Sequence, residues 1–65
     1  MKISEKIKSA RKAAGLNQQQ LADLMGYSRV YINYLENDKY NPSVVFLKKM
    51  ADSLKIDKKE LFIYL

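Results

Sequence analysis

Three polar side chains between residues 17 and 37 carry hydrogen-bonding groups that suit the edges and phosphates of nucleic acids. The guanidinium of Arg29 can donate two parallel hydrogen bonds to guanine O6 and N7, and the carboxamide of Asn33 can pair with adenine by the same logic. Gln18 falls where a helix would begin, and free backbone N–H groups there favour a phosphate. These groups can reach bases only from an exposed helix that fits the major groove, which is about 12 Å wide.

The residues around these side chains predict two short helices joined by a tight turn, a helix-turn-helix over residues 18 to 37 or thereabouts. Asn17 and Ser28 are suited to cap the two helices, and Gln20 completes a capping box with Asn17. Gly26 tolerates the positive φ of the corner, and Ala22 allows a close crossing. The apolar residues at helical spacing beneath both helices are Leu21, Met25, Ile32 and Leu35.

Three further helices are predicted, so that residues 1–65 form one all-α domain of five helices. The first runs from about Ile3 to Ala14, and Gly15 ends it. Its inward residues are Ile3, Ile7, Ala10 and Ala14. Residues 37–42 are rich in turn formers and form a loop.

The last two helices are predicted to follow this loop. Ser43 caps a fourth helix, and Asp57 starts a fifth that continues to Leu65. The inward residues of the fourth helix are Val44, Leu47, Met50, Ala51 and Leu54.

The composition excludes several kinds of function. The chain has no cysteine and no histidine, which removes disulfides, thiol nucleophiles, imidazole bases and most transition-metal sites. Its carboxylates are scattered singly, so we expect no enzyme activity, no cofactor, no metal and no small-molecule ligand. No apolar run approaches the roughly 20 residues that span a bilayer, and lysines interrupt the first turns. A cytoplasmic protein without membrane association is the expectation.

The net charge of +5 favours polyanionic partners, but its distribution is uneven. Residues 17–37 carry Arg29 against Asp23 and Glu36, a net charge of −1. The predicted third helix is therefore not a basic helix, and charge alone does not locate a nucleic-acid surface.

In their order and spacing, these residues resemble the Cro and phage-repressor type of helix-turn-helix, the xenobiotic-response-element family, over nearly the whole chain. The resemblance is carried by Ile7-Lys8-Ser9-Ala10-Arg11, Gly15-Leu16-Asn17-Gln18, Leu21-Ala22, Gly26, Ser28, Ile32, Leu35-Glu36-Asn37 and Pro42-Ser43. It implies a lambda-repressor-like domain that regulates transcription, as a repressor by family habit. Such a protein binds double-stranded operator DNA as a homodimer, with each third helix in a major groove and pseudo-palindromic half-sites about 34 Å apart.

The outward residues of the third helix and the loop after it are the predicted DNA contacts. Val30 suits a thymine methyl, or else is partly buried against the turn, and the hydroxyl of Tyr31 suits a phosphate. Lys39 either meets a phosphate or is a solvated lysine in a turn. Arg29, Val30, Asn33, Tyr34 and Asn37 are expected to face outward. The full predicted set is Gln18, Ser28, Arg29, Val30, Tyr31, Asn33, Tyr34, Asn37, Lys39, Tyr40 and Asn41.

Two structural roles complete the predictions. The resemblance implies a partly buried ion pair between Arg11 and Glu36. The tail at residues 61–65 is too apolar for one face of a short helix. We expect Leu61, Phe62 and Leu65 to pack inward, which leaves Ile63 and Tyr64 outward as a dimer contact. Alternatively, a further C-terminal part of a longer chain covers them.

The main rival function is an interaction module on the same fold that binds a protein partner, such as a toxin or an antirepressor. The apolar tail and the acidic balance of residues 17–37 favour it. Polar side chains at Gln18, Arg29 and Asn33 argue against it, because a protein-binding groove would be more apolar there.

Overall fold

Five helices surround one apolar core in the computed structural model, which describes residues 1–65 and contains no strand. The helices are α1 (Ile3–Ala13), α2 (Gln18–Met25), α3 (Arg29–Glu36), α4 (Val44–Leu54) and α5 (Lys59–Phe62). The molecule measures 25 × 25 × 20 Å along its principal axes. The predicted all-α fold with a helix-turn-helix formed by α2 and α3 is confirmed.

Local hydrogen bonds define where the helices begin. Asn17 Oδ1 accepts from the Gln20 backbone N–H at 2.7 Å, and Gln20 Oε1 accepts from the Asn17 N–H at 2.8 Å, which is the predicted capping box. Ser28 Oγ accepts from the Tyr31 N–H at 3.1 Å at the start of α3. Ser43 caps α4 in the same way. These side chains satisfy N–H groups that have no partner within the helix.

The turn between α2 and α3 depends on Gly26. Its φ of +76° lies in the left-handed region, which ends α2 and turns the chain toward α3. The Tyr27 N–H then reaches back to the Ala22 carbonyl at 2.9 Å. Ala22, the small residue predicted for the crossing of the two helices, is fully buried.

The core draws on every helix. α2 packs on α3 and α4, α1 packs on α3, and α5 packs on α1 and α4. Each large apolar side chain buried in this way contributes about 1.5–3 kcal/mol relative to an exposed one. The eleven buried apolar residues are Ile7, Leu21, Ala22, Met25, Ile32, Leu35, Phe46, Leu47, Met50, Ala51 and Leu61.

In the predicted first and fourth helices, two residues expected to face inward do not. Ala14 follows the last residue of α1 and is exposed, because the chain already turns toward Gly15 there. Val44 is 49% exposed, whereas Phe46, which the prediction omitted, is fully buried. Phe46 lies one turn before Met50 and so continues the buried stripe, while Val44 lies at its edge.

The fifth helix is shorter than predicted. It runs from Lys59 to Phe62. It begins late because Asp57 forms a turn in which its Oδ1 accepts from the Lys59 N–H at 2.9 Å. After Phe62 the backbone closes in tight i→i+3 turns, and Leu65 is 65% exposed. Leu65 therefore does not pack on α1 and α4 as expected. Tyr64, expected to face outward, is half-buried.

The helices of this chain are all short. None has the length and apolar character that crossing a membrane requires.

Candidate nucleic-acid interface

One side of α3 packs into the core and the other faces solvent. Ile32, Leu35 and Glu36 are buried, and Arg29 and Asn37 are exposed. Val30 is 53% exposed, so it is not covered by the turn. The exposed face of α3 therefore begins with a guanidinium and an apolar side chain at its first two residues.

Two of the residues expected to face outward, Asn33 and Tyr34, are only half-exposed. Asn33 lies against Gln18 of α2, and the ring of Tyr34 meets the ring of Tyr40 edge-on with centroids 5.3 Å apart. Both are drawn toward neighbours that lie outside α3, so helical spacing alone does not reveal their partial burial.

An ion pair joins α1 to the last turn of α3. Arg11 Nε donates to Glu36 Oε2 at 2.7 Å, and Arg11 Nη2 donates to Glu36 Oε1 at 3.0 Å. Arg11 Nη1 donates to the Leu16 carbonyl at 2.8 Å. The two side chains are only 9% and 2% exposed. The paired geometry satisfies the charged groups in a place that water barely reaches.

A chain of hydrogen bonds continues from this ion pair to the exposed face of α3. Gln18 Nε2 donates to Glu36 Oε1 at 3.1 Å, and Asn33 Nδ2 donates to Gln18 Oε1 at 3.3 Å. The structure thus brings together two predicted DNA contacts, Gln18 and Asn33, from different helices. Farther along α3, Asn37 Nδ2 donates to the Asn33 carbonyl at 2.9 Å.

Tyr31 belongs to an aromatic cluster under α3. Its ring stacks on Tyr27 with centroids 5.3 Å apart and meets Phe46 edge-on at 5.8 Å. The centroid of the Tyr40 ring lies 6.2 Å from that of Tyr31. Packing explains a large aromatic residue at this position, where the sequence suggested only a phosphate contact. Tyr27 was not singled out from the sequence, although its spacing of four from Tyr31 across the turn is a usable signal.

The loop after α3 brings further polar residues beside it. The Nζ of Lys39 lies 5.4 Å from the centroid of the Tyr34 ring, and Tyr40 is 51% exposed. Asn41 is exposed. Asp38 has a φ of +62° and accepts from Lys2 Nζ at 3.2 Å, which ties the start of α1 to this loop. Ser28, in contrast, uses its Oγ as an acceptor in the cap of α3.

The charge of this surface is modest. Arg29 and Lys39 are its cations, because Lys2 is paired with Asp38. No group of three or more histidine, cysteine, aspartate or glutamate residues is close enough to hold a metal ion. The surface formed by α3 and the loop after it can therefore offer amide and hydroxyl hydrogen bonds, together with the positive charges of Arg29 and Lys39, to a polyanionic partner.

The two short helices α2 and α3, joined at the Gly26 corner, form a helix-turn-helix, and α3 presents a polar face to solvent. A family model described as Helix-turn-helix, HTH_3, matches residues 7–61. The chain therefore belongs to the helix-turn-helix family HTH_3.

Several relatives carry informative names. The immunity repressor protein of Bacillus phage phi105 is 41% identical over 56 residues, which are 86% of this chain and 39% of that protein. The ImmF control region 10 kDa protein of the same phage is 36% identical, over 86% of this chain and 62% of its own. The HTH-type transcriptional regulator SlrR of Bacillus subtilis strain 168 is 39% identical, over 92% and 40%. The chain thus spans less than two thirds of the length of these relatives, none of which is named as an enzyme.

Solved structures agree with this family. The restriction-modification controller protein C.AhdI from Aeromonas hydrophila superposes with a TM-score of 0.85 and 37% identity, covering 92% of this chain and 87% of that one. An HTH_3 family transcriptional regulator from Vibrio cholerae gives a TM-score of 0.84 at 28% identity, over 94% of this chain and 34% of its own.

Proposed function

We propose that this protein is a sequence-specific, DNA-binding transcriptional regulator, a repressor that binds a pseudo-palindromic operator as a homodimer with α3 in the major groove. The observation that carries the proposal is the exposed face of α3. Arg29 and Val30 are exposed at its first turn, and the Gln18 carboxamide from α2 lies against Asn33. A polar, partly apolar face on a short exposed helix suits base edges in the major groove.

Each proposed contact follows from the chemistry of its side chain. Arg29 is suited to guanine, and Val30 offers an apolar surface to a thymine methyl. The backbone N–H groups of Gln18 and Gln19 lie in the first turn of α2 and have no acceptor within the helix. They can therefore donate to a phosphate. Lys39, Tyr40 and Asn41 in the following loop are suited to the phosphates on the other side of the helix.

The family supports the regulatory part of the proposal. Relatives that cover most of this chain are named as an immunity repressor and as a transcriptional regulator. The chain matches only part of each of these relatives, and we infer their regulatory activity for it from that shared part.

The homodimer is proposed from the C-terminal tail. Ile63 is 74% exposed and Leu65 is 65% exposed, next to the half-buried ring of Tyr64. An apolar patch of this kind on a small domain is typical of a subunit contact. A two-fold dimer through Ile63 and Tyr64 would present two copies of α3 to successive major grooves.

Selection from a randomised duplex pool, followed by sequencing at fixed salt, tests the proposal. The wild type should enrich a two-fold motif, and Arg29→Ala should relax one base pair in each half-site by about 1–3 kcal/mol of discrimination. Lys58→Ala is the matched control and should leave the motif unchanged. Lys58 lies outside α3 and the loop after it, just before α5, which packs on α1 and α4. Weak binding without any motif would contradict the proposal and favour a protein partner instead.

A further inference from the structure

The hydrogen-bond chain from Arg11 to Asn33 has a direction that its chemistry imposes. The guanidinium of Arg11 can only donate, and the carboxylate of Glu36 can only accept. Because Glu36 cannot donate, Gln18 must turn its Nε2 toward Glu36 Oε1, where the distance is 3.1 Å. That orientation turns Gln18 Oε1 the other way, toward α3.

The same rule then orients the next amide. Gln18 Oε1 is an acceptor, so Asn33 must turn its Nδ2 toward it, and the two atoms are 3.3 Å apart. Asn33 Oδ1 is left at the free end of the amide. A buried charge thus decides which end of a half-exposed amide points away from α2.

We infer that Asn33 reads an exocyclic amino group in the major groove, with Gln18 and Glu36 as positioning residues that set its orientation. The inference rests on the proposed function. Adenine N6 and cytosine N4 donate hydrogen bonds in the major groove, whereas guanine O6 and thymine O4 accept them. An amide held with its oxygen outward matches the first pair of bases, and a flipped amide would match the second.

Adenine is the better of the two matching bases. Asn33 Nδ2 carries a second hydrogen in addition to the one given to Gln18, and it can complete a two-bond contact with adenine N7. The operator is therefore expected to have, in each half-site, one position that prefers adenine, then cytosine, over guanine and thymine.

Gln18→Met is the sharpest variant for testing this orientation. Methionine keeps the length of the side chain but removes both the donor to Glu36 and the acceptor for Asn33. Both hydrogen bonds between Arg11 and Glu36 remain, because neither involves Gln18. Gln19→Met is the matched control, since Gln19 lies one residue away and its exposed amide donates to Asp23 instead.

The readout is the ratio of amino-bearing to keto-bearing bases at each position of the selected motif. Asn33→Ala identifies the position by abolishing its preference. The wild type should favour amino-bearing bases there by about tenfold, and Gln18→Met should reduce this to about twofold while Gln19→Met leaves it unchanged. If Gln18 served only to bind a phosphate, Gln18→Met would weaken binding to all sequences alike and leave the ratio intact. An unchanged ratio in Gln18→Met would therefore overturn the inference.

A measurement without DNA separates this inference from the proposed function. NMR of the free protein reports the exchange of the Asn33 side-chain amide hydrogens with water. Gln18→Met should accelerate this exchange several-fold by removing the acceptor, and Gln19→Met should not. If the wild type enriches no motif, the proposed function fails, whereas equal exchange in wild type and Gln18→Met would overturn the orientation itself.

Discussion

At the scale of single residues, Arg11 and Glu36 are the two buried charged residues of the molecule. They lie at 9% and 2% side-chain exposure, and two hydrogen bonds join them. Charges removed from water in this way are stable only as a pair with satisfied hydrogen bonds. The pair also joins the last turn of α3 to α1, and its carboxylate accepts from Gln18 at the edge of the interface.

We predict that Arg11→Ala lowers the free energy of unfolding by about 3–5 kcal/mol, because it leaves the carboxylate of Glu36 buried without its partner. Urea unfolding followed by circular dichroism measures this. Lys2→Ala is the control, since its ion pair with Asp38 is 71% and 47% exposed and should contribute at most about 1 kcal/mol. An Arg11→Ala protein with an unchanged melting temperature and unchanged dimer stability would refute the prediction.

At the scale of the elements, the corner between α2 and α3 determines whether the two helices can present one surface. The corner residue Gly26 has a φ of +76°, and the buried Ala22 accepts the Tyr27 N–H through its carbonyl at 2.9 Å. The α2 cap at Asn17 and the α3 cap at Ser28 fix where the two helices begin. The relative position of Gln18 and Asn33 therefore depends on a backbone conformation that few residue types adopt.

Gly26→Ala is expected to destabilise the protein by about 1–2 kcal/mol through backbone strain alone. An added Cβ would meet only the flexible Nζ of Lys49, at 3.9 Å, so steric overlap does not contribute. Gly15→Ala is a matched comparison, because Gly15 has a φ of +74° and open space around it. Thermal melts of both variants should give similar losses, and a neutral Gly26→Ala would show that the strain argument is wrong.

At the scale of the whole molecule, charge and the proposed DNA surface do not coincide. The chain carries a net charge of +5, but Arg29 and Lys39 are the cations of that surface. Binding should therefore depend more on hydrogen bonds and fit than on the release of counterions.

We accordingly expect a shallow salt dependence. Even if both cations of each protomer neutralise a phosphate, at about 0.9 for each, a dimer should give a log–log slope no steeper than about −4. Fluorescence anisotropy with a selected operator across a series of KCl concentrations measures the slope. A slope near −10 would mean that many more lysines meet the DNA than this surface contains.

The proposed dimer also belongs to this scale. We predict that Ile63→Asp weakens self-association by tenfold or more, roughly 1.4 kcal/mol, because it buries a charge in an apolar contact. Sedimentation equilibrium gives the dissociation constant, and circular dichroism checks that the variant is folded. Leu24→Asp is the control, since Leu24 is 54% exposed on α2, which packs on α3 and α4. Equal dissociation constants for Ile63→Asp, Leu24→Asp and wild type would exclude the tail as the contact.

Much of the fold could be predicted because it rests on local patterns. The caps at Asn17, Ser28 and Ser43 act within three residues, and Gly26 acts at its own backbone. Four helices consequently begin where the sequence predicts. The fifth helix ends earlier than the sequence predicts, because an apolar run beyond Phe62 does not reveal that the backbone closes in tight turns.

The sequence by itself determined the first four helices, the corner and most of the apolar stripes, because these follow from contacts three or four residues apart. Only the tertiary structure decided which way the polar groups of the interface point. Gln18 and Asn33 are 15 residues apart, and Arg11 and Glu36 are 25 residues apart, a pair that the sequence suggested only through family resemblance. The packing of Tyr31 on Phe46 was decided in the same way. Such contacts depend on how helices meet in space, and periodicity along one helix carries no information about that.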